Sequence, residues 1–156
     1  MKVLKDERRK VSLYSNMLMV LTSVHHVYGG IIYHTPWRLH VLFLSVPVII
    51  VTLIFDRLLR NKENNVLFWI YWFVILLASV LFMGMFEGIY NHVLKNILFF
   101  SGLSYEAMTS IFPPGMYELP NDVIFEMTGS LQGVIAIILI VYFIRLTKLA
   151  VRGGRN

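Results

Sequence analysis

The chain has 156 residues, 57% of them hydrophobic, only 15% charged, and no cysteine. That apolar fraction is too high for an ordinary soluble domain, and the missing cysteines exclude disulfides, thiolate metal sites and thiol redox chemistry. The net charge of +5 reads as a membrane-topology signal before it reads as affinity for nucleic acid.

The expected fold is an all-α integral membrane protein, one domain over 1–156, built as an up-down bundle of four transmembrane helices at about 11–32, 37–55, 66–98 and 123–146. Each segment is long enough, or nearly so, for a hydrocarbon core that needs about 20 residues. Met1 to Lys10 is a charged tail. The first helix, from Val11 to Ile32, has no small-residue cleavage site behind it and is expected to be retained. Ser12, Asn16, Ser23, His26 and Gly30 interrupt its apolar character at helical spacing, which defines one polar face turned away from lipid.

The connection Tyr33–Arg38 contains Pro36, suited to a first helical turn, and Trp37, suited to the headgroup level. The second helix contains Pro47 and ends in a charged, turn-rich loop from Asp56 to Asn65. The third begins with Trp69, Tyr71 and Trp72 and is longer than one crossing requires. Near its end stands Phe86-Glu87-Gly88-Ile89-Tyr90-Asn91-His92, where a carboxylate, an amide and an imidazole follow an uncharged run from Val66 to Phe86. Ionisable groups at the edge of hydrocarbon are costly and concentrate at functional sites. Gly84 and Gly88 form a small-x-x-x-small pair on the face of Glu87 and Asn91, so Glu87 is expected to face a neighbouring helix. Ser101–Asn121, punctuated by Pro113-Pro114-Gly115 and Pro120, is read as a non-helical stretch folded into an outer cap. Asn121 or Asp122 caps the fourth helix.

Four crossings place both termini and the Asp56–Asn65 loop on one side, with twelve Lys and Arg against four acids, a net of +8; the other side has Arg38 and Lys95 against five acids, a net of −3. The positive-inside rule then puts both termini in the cytoplasm, in a plasma (inner) membrane. The basic side suits anionic lipid headgroups; the tails lack the interleaved aromatics of a nucleic-acid binder. A membrane-protein partner or a homo-oligomer is compatible with this architecture.

The same topology gathers all five histidines at or near the outer end. His26, Glu87, His92 and Glu126 are the candidate ligands of a transition metal ion or a metallo-cofactor such as haem, with His25, Tyr28, Asn91 and Asp122 as their supports. Imidazole and carboxylate without thiolate suit zinc, iron, manganese or copper. Two other functions are open: a lipid-binding or lipid-modifying pocket with the same buried carboxylates as acid or base, and a non-catalytic accessory subunit of a larger membrane complex, in which these residues form only an interhelical polar network. His34 and His40 read as interfacial anchors. Glu87 and His92 stand about 140° apart on an α-helix, so they are not expected to act from one face.

Overall fold

The computed structural model describes residues 2–61 and 64–153. They are helical, with no β-strand among them: α1 Lys2–Ile32, a 3-10 turn Pro36–Val41 leading into α2 Leu42–Asn61, α3 Asn65–Val74, a π-wound segment Ile75–Leu94 that continues it, α4 Lys95–Phe100, α5 Tyr105–Ile111 and α6 Val123–Gly153. Three helical stretches are long and apolar enough to cross a membrane, Pro36–Arg60, Asn65–Phe100 and Val123–Arg152. The chain therefore has the character of a membrane protein.

The helix α1 is equally long but more polar, and its polarity is divided by face. Leu13, Met17, Val20, Val24, Val27 and Ile31 form an exposed apolar stripe, while Ser12, Ser15, Thr22, His25 and His26 are buried. This arrangement, apolar outside and polar inside, inverts that of a water-soluble helix. These groups, with the half-buried Ser23, tie α1 to four other elements. Ser12 bonds Tyr71 of α3 at 2.9 Å, Ser15 bonds Ser79 of the π segment at 2.7 Å, Ser23 bonds Ser45 of α2 at 2.7 Å, and Thr22 donates to Gln132 of α6 at 2.7 Å. The apolar core lies alongside, with Leu18, Met19, Tyr71, Ile75, Leu139 and Leu146 completely or nearly completely buried.

The helices exceed their expected bounds. The charged start of α1 is helical from Lys2 because its Lys, Arg and Glu residues are good helix formers and find partners. Lys10 pairs with Glu7 at 2.8 Å, and Arg8 is buried, donating to the Leu59 carbonyl at 2.8 Å beside Asp56. That contact also satisfies the last turn of α2, which therefore runs through Asp56 to Asn61 where a loop was expected. Lys62 and Glu63 of that loop, and Arg155 at the C-terminus, lie outside the described residues. The second helix opens with a 3-10 turn, and α6 continues past Leu146 to Gly153.

Asn64 caps α3 through its side chain, accepting from Leu67 N at 3.0 Å, and Asp122 caps α6 by accepting from Phe125 N at 2.8 Å. Ser101–Asn121 is not wholly non-helical. Ser104 accepts from Ala107 N at 3.3 Å and starts α5, whose Met108, with the following Phe112, is buried.

Candidate metal centre

Winding decides the geometry here. In Ile75–Leu94 the backbone follows an i→i+5 ladder, so residues five apart stand one above the other. Glu87 and His92, which diverge on an α-helix, therefore share a face. His92 Nε2 lies 3.3 Å from Glu87 Oε1, and Asn91 Nδ2 donates to Glu87 Oε2 at 2.7 Å. The expectation that the two do not act from one face fails because it assumed α winding. From α1, His26 Nε2 reaches the same Oε1 at 3.0 Å. Both carboxylate oxygens are thus engaged, and Glu87 faces α1.

His25 completes the group. Its Nδ1 lies 2.9 Å from Thr128 Oγ1, and that hydroxyl spends its own hydrogen on the backbone carbonyl of Ile124 at 2.8 Å. Thr128 can then only accept, which puts the imidazole proton on Nδ1 and leaves Nε2 as a bare lone pair. His25 is completely buried, and its Nε2 has no hydrogen-bond partner among the described residues. A buried acceptor without a partner is costly, and metal ligation is one way to satisfy it. His25, Glu87 and His92 each offer a ligand atom within 4.8 Å of the others. These three could hold a metal ion. Ligands at about 2.0–2.1 Å in a tetrahedral shell lie roughly 3.3 Å apart, so the 3.3 Å from Glu87 to His92 already fits.

Small residues make room for this arrangement. A Cβ on Gly129 would overlap the His92 ring, and one on Gly29 would stand 2.5 Å from Phe125 Cε2. Phe125 in turn stacks on His25, with ring centroids 4.1 Å apart. The buried face of His25 is thereby sealed with apolar surface.

The other candidates sit around this core. Glu126 pairs with Lys95 at 3.4 Å, and Lys95 also donates to the Glu118 carbonyl at 2.6 Å. The structure thus places Glu126 on a cation, beside the His25–Glu87–His92 group and not within it. Tyr28 donates to Asp122 at 3.2 Å, tying α1 to the start of α6. His34 and His40 are exposed; His34 has a φ of 52° and ends α1. Tyr33 is held neutral, its phenol pushed up to about 12 by burial and then by the carboxylates of Glu126 and Asp122, and it donates to Asn121.

A cavity of about 260 Å³ opens against the group, lined in part by His26, Glu87, Asn91 and His92, with Trp37, Arg38, Phe86 and Phe125 as further walls. His25 lies behind it. Two features of this region were not legible in the sequence. Arg38 is buried although it stands in a connection, and the role of His25 was hidden because the buried face of α1 passes through Ser15, Thr22 and His25 as well as through Ser12 and His26. The spacing of three and seven among those residues is the signal that could have found it. No protein-family model, curated protein or solved structure matches the chain.

Proposed function

We propose that this chain is a single-domain membrane protein of four crossings, with both termini cytoplasmic, that binds one divalent transition metal ion near its outer face. The ligands are His25, Glu87 and His92. His26 and Asn91 hold the Glu87 carboxylate in position, as hydrogen-bonded neighbours of metal ligands do. Two imidazoles and one carboxylate without thiolate suit zinc, iron or manganese, and three protein ligands leave a position open toward the cavity. The observation that carries this reading is the clustering of three ligand atoms within 4.8 Å, with the Nε2 of the buried His25 left without a hydrogen-bond partner among the described residues. The exposed apolar stripe on α1 supports a fourth crossing, because lipid would cover it.

Elemental analysis of detergent-purified protein, after supplementation with zinc, iron, manganese or copper and removal of free ion, is expected to find about one metal per chain. Less than about a tenth of an equivalent of every metal would refute the metal site.

Topology has a separate test. The chain contains no cysteine, so single cysteines report cleanly. With Ser110→Cys, a membrane-impermeant maleimide should label intact cells; with Lys148→Cys, it should label only after permeabilisation. The reverse pattern would invert the orientation.

A further inference from the structure

We infer that the cavity beside the metal centre binds a small organic carboxylate, with its carboxylate between the metal and Arg38 and its apolar body against the aromatic wall. This deepens the metal reading and rests on it. The charge around the cavity calls for an anion. Glu87, Glu118 and Glu126 stand against Arg38 and Lys95, all at or next to the cavity wall. With neutral imidazoles this set carries −1, a divalent metal brings it to +1, and a monoanion returns it to zero. Neutrality matters because Arg38, Lys95 and Glu126 are each under a tenth exposed, where unbalanced charge is costly.

Arg38 itself points the same way. A guanidinium has five N–H donors in a fixed fork. Here Nε donates to Thr35 Oγ1 at 2.8 Å, and one terminal nitrogen reaches Glu118 only at 3.4 Å. The remaining donors have no protein acceptor among the described residues. The group is nonetheless fixed in place, stacked over Trp37 at 5.1 Å and Phe125 at 5.5 Å. A buried, oriented guanidinium with donors to spare is built for bidentate contact with a carboxylate.

Size and wall chemistry narrow the choice. At roughly 30 Å³ per water, the cavity holds the equivalent of about nine waters. Trp37, Phe86, Met116 and Phe125 offer apolar surface to whatever carries the charge. That excludes bulky ligands and favours a body no larger than one ring or a short acyl chain. A carboxylate of this kind comes either from a free planar acid or from an acyl chain in the membrane.

The test uses the full chain in detergent, loaded with Zn²⁺ or stripped by chelation, and titrated calorimetrically with benzoate, octanoate and acetate. Benzoate or octanoate is expected to bind the Zn²⁺-loaded protein at least tenfold more tightly than the stripped protein, and more tightly than acetate. Preference for benzoate assigns a free planar acid, and preference for octanoate assigns a membrane-derived one. Arg38→Met should weaken that binding at least tenfold while the zinc content stays at one per chain, which also reports that the fold survives; the wild-type comparison of loaded and stripped protein needs no variant. Retained zinc with no carboxylate binding would overturn this inference and leave the metal reading standing. Absence of zinc binding would remove both. Equal carboxylate affinity with and without zinc would overturn the metal–Arg38 bridge.

Discussion

Glu87→Gln is expected to cost the protein its metal, with affinity falling at least about 100-fold, beyond the 10–100-fold typical of losing a group that merely supports a ligand. The Glu87 oxygens take hydrogen bonds from His26 at 3.0 Å and Asn91 at 2.7 Å, and Oε1 lies 3.3 Å from His92 Nε2, the spacing of two ligands on one metal. Glutamine keeps the shape but removes the charge, and its NH₂ must face one of those donors. The clash of donors leaves a buried polar group unpaired, costing about 1–3 kcal/mol of stability. Elemental analysis and thermal unfolding in detergent would measure the two effects. Glu106→Gln, on the exposed start of α5, should change neither. Metal content unchanged in Glu87→Gln would show that the carboxylate is not a ligand. Acid should mimic the substitution in wild-type protein. Ligation needs neutral imidazoles and an ionised carboxylate, so protons compete with the metal and occupancy should fall as the solution is acidified.

Two glycine substitutions of equal size are expected to fail differently. A Cβ on Gly88 would stand 2.9 Å from Gly133 N, 3.0 Å from Gln132 C and 3.1 Å from Gly133 Cα. All three are backbone atoms of α6, so no rotamer change relieves them, and the π segment and α6 must separate. Overpacking of this kind costs about 1–3 kcal/mol, and Gly88→Ala belongs at the upper end because two helices must move. On Gly129 the added Cβ meets the ring of His92, which is a side chain and can swing away. Gly129→Ala should therefore keep its helical content and most of its stability but lose the metal. Unfolding midpoints in a denaturing detergent, read by circular dichroism beside metal content, separate the two. Full metal occupancy in Gly129→Ala would mean that His92 does not ligate from its position against α6.

The helices, three of them long and apolar enough to cross a membrane, follow from local composition. Hydrocarbon-length runs such as Val66–Phe86 and Val123–Leu146 need no knowledge of their neighbours to be read. The expected collection of histidines at one end follows from chain order alone if the chain crosses four times. The π winding of Ile75–Leu94 was not legible, since a ladder shift is a backbone choice that side-chain periodicity does not record, and it alone brings Glu87 onto the face of His92.

Partner choice was equally hidden. Glu126 and Glu87 look alike in sequence, but Lys95 lies against one and the imidazole of His26 against the other. Likewise His25 and His26 are adjacent residues with divergent directions. Only the position of α6, with Thr128 oriented by its own backbone bond, leaves His25 Nε2 bare. Apolarity and charge are carried by each residue separately, so sequence determines where this chain can meet lipid. Ligation depends on angstrom-scale placement of atoms from three elements, and that is decided by how α1, the π segment and α6 pack.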